Sequence, residues 1–169
     1  IAAEGIVLLK NENNLLPLKK EQRIAVFGKA QYDYVKGGGG SGDVTVEYVR
    51  NIYDGLKIKS DEGKIRLFDG LIDFYISEVD KQYKNNIAVG CTTEPALPQN
   101  LVNEAKAFTD TAIITICRYS SESFDRKGEL HDGDFYLSRE EENMVNTVLD
   151  NFKNVIVVVN AGAQTDTEW

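Results

Sequence analysis

The sequence predicts an α/β fold, a mostly parallel sheet flanked by helices on both faces, and three observations lead there. Two short runs, AIITIC at residues 112–117 and VIVVV at residues 155–159, are apolar without alternation. That pattern suits strands covered on both sides. Segments of helical periodicity separate the candidate strands along most of the chain, which is the arrangement of a parallel sheet with crossover helices. Finally, a chain of 169 residues that is 42% hydrophobic is large enough for one core, so residues 1–169 are read as one domain.

Composition narrows the partners. A formal net charge of -8 opposes encounter with nucleic acid or an anionic membrane surface, and a neutral or cationic ligand fits better. No apolar run approaches the roughly 18 residues needed to span a bilayer, and there is no signal-peptide pattern. Cys91 and Cys117 are read as buried free thiols, since a chain with this much core needs no staple. No group of His and Cys has the spacing of a metal site, and neither a metal nor a cofactor is expected. The chain begins at Ile1 within a helical pattern and stops at Trp169 soon after a strand. It therefore reads as a piece of a longer polypeptide, truncated at its C-terminal end.

Taken in order, Ala2, Ala3, Ile6, Val7 and Lys10 fall at helical spacing, predicting an amphipathic helix over residues 2–11 despite Gly5. Asn13, Asn14 and Pro17 end it. Residues 24–27 form a first short strand closing on Gly28. Residues 37–42 are five glycines and a serine, which let the main chain approach a ligand closely; a flexible linker is the alternative. Val46, Val49, Tyr53 and Leu56 recur at helical spacing, which puts this loop at a helix N-terminus. Free backbone N–H groups there would face an anion or a hydroxyl-rich ligand. A nucleotide is disfavoured, because Asp43 follows Gly42 where a phosphate-cradling loop needs Lys and then Ser or Thr.

Residues 57–66 read as a polar surface connection. Phe68, Leu71, Ile72, Tyr75, Ile76, Val79 and Tyr83 share one helical face, a core stripe rather than a binding platform. Residues 87–91 are a candidate short strand. Pro98 opens a helix buried through Leu101, Val102, Ala105 and Phe108. The strand at 112–117 then runs into a polar loop reaching about residue 137, and long loops in compact domains are commonly functional. Ser138 and Glu141 form a capping box, and the acidic run 140–142 complements the helix dipole. Val145, Val148, Leu149 and Phe152 supply that helix's buried face.

The loop after Cys117 lies where a parallel sheet places its ligands, beyond the carboxyl ends of the strands. It carries Glu122, Asp125 and Arg126, with Arg118 at its root. Retaining cleavage of a glycosidic bond needs two carboxyl groups about 5 to 5.5 Å apart, one a nucleophile and one a proton donor. A partly desolvated glutamate at a strand end suits the donor. From spacing alone, a solvated surface ion cluster of Glu122, Asp125 and Arg126 is favoured over a catalytic one. His131 reads as a solvated loop histidine. Ser120 and Ser121 have no histidine placed to activate them, so a triad hydrolase is weak.

The residues themselves add to this. RYSSESFDR, residues 118–126, resembles the R-x-S-G-E-G-x-D-R signature of family 3 glycoside hydrolases, typified by bacterial beta-glucosidases. AAEGIVLLKNENNLLPL (2–18), IAVFG (24–28), KGGGGSGDV (36–44), GDFYLS (133–138) and VIVVVNAG (155–162) occur there in the same order. The resemblance implies an (alpha/beta)6-sandwich-type domain packed against a barrel domain of the same polypeptide. The barrel would supply the aspartate nucleophile and this chain the general acid/base, which falls on Glu122. The segment lining the substrate entrance falls on Lys36, Gly37, Gly38, Gly39, Gly40, Ser41, Gly42 and Asp43. Arg118, Asp125 and Arg126 fall on positions taken to support the loop.

Two departures stand out. The glycines flanking the family's glutamate are Ser121 and Ser123 here, and nothing in the chain matches the nucleophile motif. The expectation is thus the acid/base-supplying domain of a retaining beta-glycosidase acting on a beta-glucoside or oligosaccharide, inactive without the barrel. The location is unknown from the sequence, with a bacterial cytoplasmic one favoured. The competing reading is a flavodoxin-like ligand-binding or interaction module without catalysis, and a third is a non-catalytic relative that only packs on a partner.

Overall fold

The computed structural model describes residues 2–169, with side chains from residue 4 onward. Four strands, β1 (Gln22–Phe27), β2 (Ile65–Leu67), β3 (Thr111–Cys117) and β4 (Asn154–Asn160), form one parallel sheet in the order β2-β1-β3-β4. Register is set by pairs such as Ala25 with Ala112 and Ile114 with Val157. All seven residues of β3 are buried, as its unalternating apolar run predicts.

The helices are α1 (Ile52–Asp61), α2 (Asp69–Lys84), α3 (Gln99–Phe108) and α4 (Arg139–Asn151). One sheet face, through Ala25, Phe27, Ala112, Ile114 and Ile116, packs with Leu71 and Tyr75 of α2, Val102 and Ala105 of α3, and Met144, Val145 and Val148 of α4. The other face, through Ile24, Val26 and Ile113, meets Tyr53 and Leu56 of α1 and Leu18. Odd and even strand residues thus serve opposite layers, as the strand's two-residue period requires. The capping box at Ser138 and Glu141 is formed in full.

Several sequence expectations are corrected. The helix over 2–11 is a single 3-10 turn, Ala2–Gly5, followed by irregular chain in which Ile6, Val7, Leu8 and Leu9 are exposed; Ile1, the start of that pattern, lies outside the described residues. Its short apolar face finds no partner layer here, and most helical stability comes from such packing. The helix expected from Val46 begins only at Ile52, so the glycine loop does not abut its N-terminus. The β-branched stretch VTVEYV resists helix, and the real start is a capping box between Asn51 and Asp54. Residues 57–66 are the end of α1 and all but the last residue of β2. Gly63 at φ +70 stops the helix, with Gly63 N–H bonded to the Ser60 carbonyl and Lys64 N–H to that of Lys59, a glycine-terminated cap.

Residues 87–91 form no strand. Asn86 at φ 63 and Gly90 at φ 81 keep the chain turning, and Ile87 and Val89 are exposed. Cys117 is buried as expected, but Cys91 is exposed. Strand β4 is less covered than its composition suggests, because it is an edge strand whose Val157 and Val159 face solvent.

Candidate active-site loops at the carboxyl edge of the sheet

The carboxyl ends of β1 and β3 carry the polar chemistry. Immediately after β1 comes Gly28, at φ +95, where a Cβ would stand 2.2 Å from the Thr115 carbonyl oxygen. Only glycine lets the two strands stay this close. The next residue, Lys29, gives its backbone N–H to Glu94 Oε2 at 2.8 Å, and the Tyr75 hydroxyl donates to Glu94 Oε1 at 2.8 Å while accepting from Gly28 N–H at 2.8 Å. Burial raises the Glu94 pKa to about 7, against the opposing effect of these two donors.

Beside it, Lys29 Nζ lies 3.2 Å from Asp33 Oδ2. Asp33 also accepts from the Tyr83 hydroxyl at 2.7 Å, from Gly90 N–H at 2.6 Å and from the Thr92 hydroxyl. Burial pushes this carboxyl up, but the Lys29 ammonium and the three donors outweigh it and hold the pKa below the usual value. Neither Glu94 nor Asp33 was singled out by sequence reasoning. Their partners come from distant segments, and only the Lys29 to Asp33 spacing of four residues hints at a pair.

Strand β3 hands over to the second group. Arg118 is buried and its guanidinium is fully engaged: Nη1 to Glu141 Oε1 at 2.6 Å, Nη2 to Glu141 Oε2 at 3.0 Å, Nε to the Asp134 carbonyl at 2.7 Å. Such a forked pair is both strong and directional. Glu141, expected to serve only as a helix cap, therefore has a second task. Arg126 Nε stands 2.5 Å from Asp134 Oδ1. Its direction is poor for a hydrogen bond, since Oδ1 has no hydrogen-bond partner, so the contact is one of charge. Asp125 is exposed, and its side chain makes no hydrogen bond or ion pair with the described residues.

Glu122 sits at the tip of this loop and is exposed, so the partial desolvation expected of it is not provided within the chain. Nor do Glu122, Asp125 and Arg126 form the surface ion cluster that spacing favoured, since Arg126 turns to Asp134 and Glu122 turns to the glycine loop. There Ser41 N–H donates to Glu122 Oε2 at 3.0 Å, and Gly39 N–H donates to the Ser120 carbonyl at 2.8 Å. A Cβ on Gly39 would be 2.1 Å from the Tyr119 hydroxyl oxygen, and one on Gly40, at φ +66, 2.7 Å from Glu122 Cβ. The glycines thus let two loops remote in sequence touch. Lys36 bridges the ends of its own loop, 2.9 Å from Asp43 and hydrogen-bonded to the Val44 carbonyl. Gly37 and Gly38 have ordinary surroundings and Gly42 has open space.

Ser123, at a position where the resembled signature has glycine, adopts φ 60. The backbone therefore makes a left-handed turn here without glycine. His131 is half-buried, its Nδ1 3.4 Å from Glu142 Oε2. A cavity of about 230 Å³ lies under the loop, bounded by Lys29, Glu94, Arg118, Glu141, Tyr119 and Phe124. Among the described residues no cluster of three or more His, Cys, Asp or Glu is placed to hold a metal ion. No described helix is long and apolar enough to cross a membrane.

Comparison with known proteins bears on this arrangement. Residues 6–169 match the family model of the glycosyl hydrolase family 3 C-terminal domain. Beta-glucosidase A of Butyrivibrio fibrisolvens is 46% identical over 188 aligned residues, covering 99% of this chain and 22% of that protein. A beta-glucosidase of Ruminococcus albus is 34% identical, covering 96% of this chain and 17% of that protein. Among solved structures, a beta-glucosidase from Paenibacillus barengoltzii superposes with a TM-score of 0.88 at 34% identity, over 99% of this chain and 18% of that one. Beta-glucosidase 3B from Thermotoga neapolitana in complex with alpha-D-glucose gives 0.82 at 34% identity, over 98% of this chain and 24% of that one. The chain spans about a fifth of the length of the relatives it matches. With the family model covering nearly all of its residues, this chain belongs to the glycosyl hydrolase family 3 C-terminal domain family.

Proposed function

We propose that this chain is the acid/base-supplying domain of a retaining beta-glycosidase that hydrolyses terminal beta-linked sugars, with Glu122 as the proton donor and acceptor. The observation that carries the reading is the meeting of the two loops. Glu122 stands at the carboxyl edge of a parallel sheet, exposed, with one carboxylate oxygen held by Ser41 N–H of the glycine loop. Ligands of such sheets bind at this edge, and the relatives that match nearly the whole chain are beta-glucosidases.

In this reading a second domain of the same polypeptide brings an aspartate nucleophile and closes over the loop, supplying the desolvation that the chain alone does not. As the nucleophile attacks the anomeric carbon, Glu122 protonates the departing glycosidic oxygen. In the second half it takes the proton of the water that releases the sugar from the enzyme, so one carboxyl serves both steps. The glycine loop Lys36, Gly37, Gly38, Gly39, Gly40, Ser41, Gly42 and Asp43 lines the approach. Arg118 holds the root of the Glu122 loop, Arg126 holds its descending arm, and Asp125 projects from it. A beta-glucoside or oligosaccharide is the substrate.

The test is made in the polypeptide that carries this chain with the rest of its relatives' length. Glu122→Ala should lower kcat/KM on alkyl glycosides by about 10²–10⁴, while aryl glycosides with good leaving groups, which need no proton, lose little in the first step. Azide, which attacks without a general base, should restore turnover and leave a glycosyl azide. Unchanged activity on the alkyl glycoside would rule the role out. The isolated chain should hydrolyse neither substrate, and turnover by it would overturn the two-domain reading.

A further inference from the structure

The Glu122 loop is fastened at its root and along its descending arm, and Asp134 takes part in both, beside a hydrogen bond from Arg126 Nη2 to the Gln164 carbonyl at 3.0 Å. Asp134 accepts from Arg118 Nε through its backbone carbonyl at 2.7 Å, at the point where the loop leaves β3. Its carboxylate accepts from Lys127 N–H at 2.6 Å and faces Arg126 Nε at 2.5 Å, where the loop descends. Asp134 is 7% exposed. Between the two anchors lie residues 119–125, which reach the glycine loop through the Ser120 carbonyl and Glu122. The Arg118 anchor is made rigid by the forked Glu141 pair, whose carboxylate also receives Ser138 N–H at 2.9 Å from the start of α4.

We propose that the Asp134 carboxylate is a positioning residue for Glu122, fixing the descending arm of the loop so that the proton donor is presented at a defined place. The inference rests on the reading of Glu122 given above. The division of labour within Asp134 makes it separable: truncating the side chain removes the acceptor of Lys127 N–H and the counter-charge of Arg126, whose Nη2 keeps its hydrogen bond to the Gln164 carbonyl, while the carbonyl that holds Arg118 remains. A displacement of about 1 Å at a reacting group costs on the order of 10²-fold in rate. Substrate binding need not change.

In the longer polypeptide, Asp134→Ala should lower kcat on an alkyl glycoside by about 10- to 100-fold with KM within about twofold. With an activated aryl glycoside in azide, where neither proton transfer is needed, the same variant should stay within about threefold of the parent. Asp134→Asn, which still accepts from Lys127 but lacks the charge for Arg126, should fall between. The double variant Glu122→Ala/Asp134→Ala should be no slower than Glu122→Ala alone, because the lost function is shared. Equal loss on both substrates would mean a general packing role, and full activity on both would mean none; either result overturns the inference. If Glu122→Ala itself shows no dependence on the leaving group, the functional reading falls and takes this one with it.

Discussion

Two glutamates stand at the same edge of the sheet in opposite surroundings. Glu94 is buried, has both carboxylate oxygens occupied by Lys29 N–H and the Tyr75 hydroxyl, and carries a pKa raised to about 7. Glu122 is exposed at a loop tip and holds one backbone N–H. A perturbed carboxyl near neutrality is a common mark of an acid catalyst, and by that mark Glu94 would be chosen. The proposed reading sets it aside: Glu94 borders the cavity but is only 3% exposed, and both of its oxygens already accept hydrogen bonds from the protein, so neither is presented to a glycosidic oxygen. Glu94 secures the turn after β1, and Glu122 is accessible, with its desolvation left, in the proposed reading, to a second domain. Burial and reach, which a working proton donor needs together, are divided here between two residues.

The comparison breaks most visibly in stability. Glu94→Ala leaves the Lys29 N–H and the Tyr75 O–H, two donors inside the core, without an acceptor, at about 1–3 kcal/mol for each buried group. It should therefore cost about 3–4 kcal/mol in urea unfolding, taking both losses together. Glu122→Ala at the exposed tip should stay within about 0.5 kcal/mol. Similar losses for the two would mean that Glu122 is held as firmly as Glu94, and the contrast would collapse.

A pH series sharpens it further. The folded protein keeps the Glu94 proton up to about 7, whereas the unfolded chain releases it near the ordinary value of 4.5. Between these values the folded state binds more protons, so stability falls as pH rises. The contribution is complete below 4.5 and gone above about 7, and its size is about 3 kcal/mol at 1.36 kcal/mol per unit. Glu94→Gln cannot titrate, so its stability relative to the parent should improve by that amount as pH rises across the window. A difference that stays flat would show that Glu94 ionises in the folded protein as it does in water.

How much of this was legible in the sequence follows from which interactions are local. The cores of β1, β3 and β4 announced themselves as apolar runs, α2 through its regular stripe, and α4 through a box of residues three apart. Strand β2 is only Ile65–Leu67 and was hidden inside a polar stretch, since three residues give too little pattern to read. The opposite error came at residues 2–11, where helical spacing had no packing behind it. Of the candidate site, Glu122 and the glycine loop were named from the sequence, but not that they touch. Tyr75, Glu94 and Lys29, or Arg118, Asp134 and Glu141, meet only after the chain has folded. Glu141 shows the difficulty well: its local role as a cap was correct and concealed its ion pair with Arg118.

The smallest expected effect lies at Ser123, beside Glu122, where a serine occupies φ 60. Left-handed backbone costs a residue with a Cβ about 1–2 kcal/mol, and glycine pays no such penalty. Glycine also gains more freedom in the unfolded chain, which offsets roughly 0.4–1 kcal/mol of the relief. Ser123→Gly should therefore stabilise by about 0–1.6 kcal/mol, the difference of those terms. It should do so without altering the Ser41 contact, because the required turn is already formed. The gain is measured by denaturant unfolding, and a loss exceeding about 0.5 kcal/mol would show that serine stabilises the turn through its own side chain. In the longer polypeptide the same change tests how tightly the tip must be held. If Glu122 is aimed by the Asp134 anchor, a glycine one residue away leaves kcat on alkyl glycosides within about twofold; if the tip's own stiffness does the aiming, kcat falls as the unfolding free energy rises.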